Sequence, residues 1–176
     1  MSDLRTDIVA AVPSLRAFAF SLARHPEDAD DLVQETLVRA FRRLGSFEEG
    51  TNLNAWLFTI LRNAFYSAYR KRGREVEDPD GSYAARLSCH GEQEGHLHYA
   101  DFLRAFAKLN PEQREALTLV VASGLQFEEA ATVMGVAVGT AKSRVIRARA
   151  RLTQLLAIEA TDDVGPGQRE LAALQA

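Results

Sequence analysis

QFEEAATVMGVAVGTAKSRVIRARARLTQLL, residues 126–156, is the stretch that decides how this chain folds. Phe127, Ala130, Ala131 and Met134 recur three or four residues apart, the spacing of one helix face. Gly135 follows the last of them, where a left-handed cap ends a helix without steric cost, and Val136-Ala137-Val138 makes a short apolar turn. Thr140 suits the cap of a second helix whose inward stripe is Ala141, Val145, Ala148 and Leu152. The rest of that helix carries five cations, Lys142, Arg144, Arg147, Arg149 and Arg151, and no acidic residue. A basic face alone is more often a solvated surface than a binding site. Here it comes with a small Ala130-Ala131 pair for close helix packing, a glycine turn and a hydroxyl at the helix start, the parts of a helix-turn-helix that docks in a major groove. Thr140, Lys142, Ser143 and Arg144 are candidates for base or nearby phosphate contact. Arg147, Arg149 and Arg151 are candidates for phosphate contact.

Outward from this unit, charge divides the 176-residue chain. The net charge of −3 excludes a uniformly basic coat for nucleic acid, yet residues 102–156 hold eight Lys/Arg against four Asp/Glu. Residues 73–101 reverse this with two against seven, and Asp78-Pro79-Asp80-Gly81 is a turn signal within them. The pattern gives an all-α chain of two small helical domains: residues 1–73, an acidic flexible linker over 74–98, a helix-turn-helix domain over 99–157 and a tail over 158–176.

The first block reads as helix almost throughout. Ile8, Val12, Leu15, Phe18, Ala19 and Leu22 form one apolar stripe, with Pro13 marking a helix start or kink. After His25-Pro26 a second helix has Glu27, Asp28, Asp30 and Asp31 at its positive end and Arg39, Arg42 and Arg43 in its last turns, as the helix dipole favours. Its expected buried face is Leu32, Val33, Thr36, Leu37, Ala40, Phe41 and Leu44, with Gly45 as the stop. Asp30, Asp31, Gln34 and Glu35 are left outside. A third helix, about 53–71, takes its core from Leu53, Trp56, Leu57, Ile60, Leu61, Ala64, Phe65 and Ala68. Thr59, Arg62, Asn63, Tyr66 and Arg70 fall at helical spacing, followed by Lys71 and Arg72. They combine cations, amide and hydroxyl donors and an exposed aromatic suited to stacking on a base. The Gly45–Asn52 loop before it has the composition to cradle an extruded base, or to be an ordinary connection.

Other chemistry is not indicated. The single cysteine, Cys89, excludes an internal disulfide framework and fits a reducing cytoplasm. Cys89-His90 with His96 and His98 departs from the paired spacing of structural zinc sites, so no metal is expected. There is no nucleophile motif and no glycine-rich phosphate loop, so neither a cofactor nor intrinsic enzymatic activity is expected. No stretch is long and apolar enough to span a membrane, and the start of the chain is unlike a signal peptide.

Three segments in order carry a family resemblance: Asp30-Asp31-Leu32-Val33-Gln34-Glu35-Thr36, then Asn54-Ala55-Trp56-Leu57-Phe58-Thr59-Ile60-Leu61-Arg62-Asn63, then Gly139-Thr140-Ala141-Lys142-Ser143-Arg144-Val145. Together they closely resemble bacterial sigma factors of the extracytoplasmic-function group. Phe47 to Leu53, Phe65-Tyr66-Ser67 and Arg70 to Val76 resemble its alphaproteobacterial general stress response branch. The resemblance implies an RNA polymerase specificity subunit with a region 2 helical bundle and a region 4 helix-turn-helix. It implies that Asp30, Asp31, Gln34 and Glu35 face core RNA polymerase, and that Asn52, Asn54, Thr59, Arg62, Asn63, Tyr66, Arg70 and Lys71 face the minus-ten promoter element. The second helix of the carboxy-terminal unit would read the minus-thirty-five element. The branch also implies a small anti-sigma protein of the NepR type as inhibitor. Two other readings compete: a helix-turn-helix repressor acting without polymerase, and a sigma-mimicking protein that titrates an anti-sigma.

Overall fold

The structure, a computed structural model, describes residues 3–75 and 94–162, with side chains over 3–70 and 99–157. Within them every regular element is helical.

Helix α1 (Leu4–Ala10) starts at Asp3, whose carboxylate accepts from the Arg5 N–H at 3.2 Å. Pro13 enters the first turn of α2 (Val12–Ala23), where its missing N–H costs nothing. The two helices meet at a 48° bend. No single helix among the described residues is long and apolar enough to cross a membrane. Pro26 opens α3 (Pro26–Arg42), with Glu27 and Asp28 in its first turn and Arg39 and Arg42 in its last. This helix ends before Gly45, which sits inside a tight 3-10 turn over Leu44–Ser46. Helix α4 (Leu53–Glu75) is capped by Asn52, whose Oδ1 accepts from the N–H groups of Asn54 and Ala55.

The second half contains α5 (Glu94–Ala107), α6 (Pro111–Leu117), α7 (Phe127–Met134) and α8 (Val138–Asp162), with a π-helical turn over Thr118–Ala122 extending α6. Asn110 and Gln113 cap α6 reciprocally. Gly135 ends α7 at φ 66°, left-handed as the sequence requires. Helix α8 begins at Val138, so Thr140 lies inside its first turn and does not cap it; the Thr140 N–H already bonds to the Ala137 carbonyl. The expected linker is also trimmed at both ends, because α4 continues to Glu75 and α5 starts at Glu94. Likewise α8 continues past the expected start of the tail, to Asp162. Residues 76–93 and the tail beyond 162 lie outside the described residues.

Leu57, Phe58, Ile60, Leu61 and Ala64 on α4 are buried against Ile8, Leu15, Phe18 and Leu22 and against Leu32, Val33, Thr36 and Ala40 of α3. The Phe58 ring meets the Phe18 ring edge-on at 5.0 Å. Two expected core positions fail. Phe41 is 39% exposed, because Ala40 takes the inward place and the next residue lies about 100° further round the helix. Ala68 is exposed, since α4 has outrun its packing partners there. In the second half Ala130, Ala131, Val133 and Met134 of α7 and Ala141, Val145, Ala148 and Leu155 of α8 are buried, and α8 packs on α5, α6 and α7.

The halves pack on each other, α2 against α6 and α4 against α7. Arg114, buried on α6, donates from Nε to the Ser21 carbonyl at 3.0 Å and from Nη1 to that of Leu109. Burial, with Arg24 nearby, lowers its guanidinium to about 10, so it stays charged at neutral pH. Arg24 itself donates to the Ala107 carbonyl at 3.3 Å.

Candidate nucleic-acid and polymerase interface

Three groups of side chains follow from this packing. The first is the outer face of α8. With Ala141, Val145, Ala148 and Leu155 turned inward, the 3.6-residue period sends Lys142, Arg147, Arg149 and Arg151 to the exposed side. Lys142 lies over the Phe127 ring at 5.6 Å, and Arg147 is tethered to the Ser143 carbonyl at 3.2 Å. Ser143 and Thr140 are half-buried. Arg144 differs from the rest: its side chain is 15% exposed and paired with Glu112 of α6 at 3.0 Å. Ile146, 67% exposed among these cations, has no place in the amphipathic pattern and was missed by it. An apolar residue in an outward basic face is the signal that points to it.

The second group lies on and before α4, and the structure divides it. Asn63 and Arg70 are exposed, whereas Thr59, Arg62 and Tyr66 are half-buried on the side facing the second half. Tyr66 is therefore not the free aromatic expected, because the Arg62 guanidinium covers its ring at 4.6 Å. Burial and the Glu115 carboxylate hold its hydroxyl above the ordinary tyrosine value. Arg62 Nε donates to Glu115 Oε1 at 2.5 Å. Glu115 is completely buried, its Oε2 has no hydrogen-bond partner among the described residues, and burial raises its carboxyl despite Arg62. Asn52 donates from Nδ2 to Glu129 Oε1 of α7 at 2.9 Å, and Asn54 lines a cleft of about 280 Å³ with Asp7 and Ser14. The side chain of Lys71 lies outside the described residues.

The third group is on α3. Asp31 and Gln34 are exposed. Asp30 makes a two-pronged ion pair with Arg16 at 2.8 Å, and Glu35 pairs with Arg39 at 2.5 Å. Beside them Val38 is 50% exposed, forming with Phe41 an apolar edge that the stripe did not reveal. Among residues with described side chains no cluster of His, Cys, Asp or Glu has metal-binding geometry; Cys89, His90, His96 and His98 lie outside that set.

Residues 8–75 match the family pattern of Sigma-70 region 2, and residues 99–152 that of Sigma-70, region 4. The chain is 59% identical to the ECF RNA polymerase sigma factor EcfG of Rhodopseudomonas palustris, over 93% of this chain and 91% of that one. It belongs to the extracytoplasmic-function group of the sigma-70 family. A more distant member, SigM of Bacillus subtilis, is 31% identical over 78% of this chain and 85% of its own. Among solved structures, the sigma factor RpoE of Bartonella quintana, in complex with the anti-sigma factor NepR, superposes with a TM-score of 0.79. It is 50% identical and covers 90% of this chain and 99% of its own.

In sigma-factor terms, α1 to α4 are region 2 and α5 to α8 are region 4. Helix α8 of region 4 presents Lys142, Arg147, Arg149 and Arg151 to solvent, while two candidate residues of region 2, Asn52 and Arg62, are held by carboxylates of region 4.

Proposed function

We propose that this sigma factor binds core RNA polymerase through α3, with Asp31, Gln34 and the Val38–Phe41 edge at the contact and Asp30 and Glu35 released from their ion pairs. Asn52, Asn54, Thr59, Arg62, Asn63, Tyr66, Arg70 and Lys71 then engage the minus-ten element. Opening DNA costs unpairing and unstacking, so capture of an unpaired base selects the melted form. Thr140, Lys142, Ser143, Arg144, Arg147, Arg149 and Arg151 engage the minus-thirty-five duplex, and Ile146 adds an apolar contact of the kind that meets a thymine methyl. Two modest contacts on tethered domains, residues 1–73 and 99–157, combine because the second is intramolecular. The chemistry stays with the polymerase, in the cytoplasm.

The observation that carries this reading is the segregation on α8: a fully apolar inner stripe and an exposed row of Lys142, Arg147, Arg149 and Arg151. An anti-sigma protein of the NepR type is the proposed inhibitor. The Bartonella relative is bound to NepR, and exposed Val38, Phe41, Tyr99 and Phe102 give this chain apolar surface on both regions.

Run-off transcription with purified core polymerase on a stress-type promoter tests the reading. A transcript that requires this chain supports it, and no transcript with polymerase-free DNA binding intact sinks it in favour of a repressor. A finer expectation concerns Arg149. If it holds one phosphate, Arg149→Ala lowers the slope of log affinity against log salt by about 1 and weakens all duplexes alike. An unchanged slope in fluorescence anisotropy titrations would remove Arg149 from the interface.

A further inference from the structure

Helix α8 sorts its polar groups by angle. At about 100° per residue, Ser143 and Arg147 lie opposite the buried stripe of Ala141, Val145 and Ala148, whereas Lys142 and Arg144 lie on its two flanks. Each flank meets a different neighbour. Lys142 lies over the Phe127 ring of α7, and Arg144 Nη2 stands 3.0 Å from Glu112 Oε2 of α6. Among the described residues Arg144 is the one cation of α8 paired with a carboxylate, and it sits in the first third of the helix, the part that reaches base edges in a helix-turn-helix.

The pair is lopsided in exposure, 15% for the Arg144 side chain and 62% for that of Glu112. A carboxylate in that much water adds little to stability through its ion pair. It does settle where a long side chain points. Freezing the rotatable bonds of an arginine on binding costs affinity, and a guanidinium already held in place has less freedom left to lose. The backbone under Glu112 is itself well fixed, because Pro111 precedes it in the first turn of α6 and Asn110 and Gln113 cap that helix reciprocally. A guanidinium has five N–H donors, so one carboxylate leaves others for DNA. An arginine released from its carboxylate is drawn instead to phosphate, which attracts it on any sequence.

We propose that Glu112 is a positioning residue of the minus-thirty-five reader: it holds the Arg144 guanidinium at the groove edge, so that Arg144 reads a base pair and does not settle on the nearest phosphate. Glu112 touches no DNA itself. This deepens the function proposed above and rests on it.

Fluorescence anisotropy with the full chain tests this. The probes are a duplex enriched by the native chain from a randomised pool, a set in which each of its base pairs is replaced in turn, and a scrambled duplex. Arg144→Ala marks the base pair that Arg144 reads, as the position where discrimination is lost. Glu112→Ala is expected to lower discrimination at that same base pair by about 3- to 10-fold and to leave the other positions within about twofold. Affinity for the scrambled duplex is expected to hold or rise, since a negative charge has been removed, and the thermal midpoint is expected to stay in place. Glu112→Gln keeps an acceptor at the same reach and is expected to retain most of the discrimination. In an Arg144→Ala background, Glu112→Ala is expected to change discrimination no further. Equal gains on every duplex would make Glu112 a source of repulsion only, and equal losses with a lowered thermal midpoint would make the pair a brace of the fold. Either result, or an effect that persists without Arg144, overturns the inference alone. A native chain that enriches no duplex, or Arg144→Ala without effect at any position, overturns the reading role assigned above and this inference with it.

Discussion

Phe58→Ala is expected to remove about 3–5 kcal/mol from the stability of region 2. Phe58 has no exposed surface and presents its ring edge-on to Phe18, so truncation forfeits both the transfer of the ring from water and its contacts with α2. A domain of this size has about 5–15 kcal/mol in all, so the variant keeps only a fraction of its folded margin. In urea melts followed by circular dichroism, an early transition belonging to region 2 is expected, with polymerase binding lost. Duplex binding by region 4 should survive, since its core draws on other residues. Phe58→Leu keeps most of the volume and is expected to cost less than half as much. A loss below about 1 kcal/mol for the alanine variant would mean that the ring is not the keystone its burial implies.

Phe58 was not on the apolar stripe expected for the third helix, and the omission shows where sequence reading stops. Leu57, Ile60, Leu61 and Ala64 repeat at helical spacing and define one inward face. Phe58 widens that face, and it is needed because α4 is packed by α2, by α3 and by α7. Periodicity gives the centre of a buried face but not its width, which depends on how many neighbours the helix acquires. Phe41 shows the opposite error, at the rim of the α3 face, where the expected stripe reaches past the buried Ala40. The turn chemistry was more legible. Gly135 at φ 66° and Pro13 and Pro26 at helix starts do what their backbone constraints dictate wherever they stand.

The candidate site was legible in the same uneven way. Cations opposite an apolar stripe identify the outer face of α8, since a single helix carries the whole argument. Arg62, Tyr66 and Arg144 also read as outward groups, yet the structure draws them toward partners far away in sequence, Glu115 and Glu112. Pairing between helices distant in sequence depends on tertiary arrangement, and no local pattern of charges reveals it.

That pairing sets up the second large effect, expected at Arg62. Glu115 is buried, and Arg62 is the group that donates a hydrogen bond to it. Arg62→Leu leaves a carboxylate in a site with no counter-charge in contact, a cost of about 3–5 kcal/mol to the closed form at neutral pH. The halves can separate, so the observed loss is capped by the free energy that holds them together, and it appears as opening before unfolding. The groups facing Glu115 are Arg62 and Tyr66 from α4, Glu112 from α6 and Arg144 from α8. Burial raises the carboxyl, Glu112 adds to this, and Arg62 and Arg144 oppose it. A raised carboxyl in the closed form means that closure binds a proton. Below the ordinary carboxylate value Glu115 is neutral whether open or closed, and no penalty applies; as pH rises through the raised value it ionises and closure weakens. Arg62 limits that weakening in the native chain. Without it, energy transfer between dyes on the two halves is expected to report an open chain at neutral pH that closes again on acidification, and Glu115→Gln in the same variant is expected to abolish the response. A chain that stays closed at every pH after Arg62→Leu would show that the carboxylate escapes its burial by another route. Opening alone will not raise transcription in this variant, because the guanidinium that pairs with Glu115 is also the one assigned to the promoter strand.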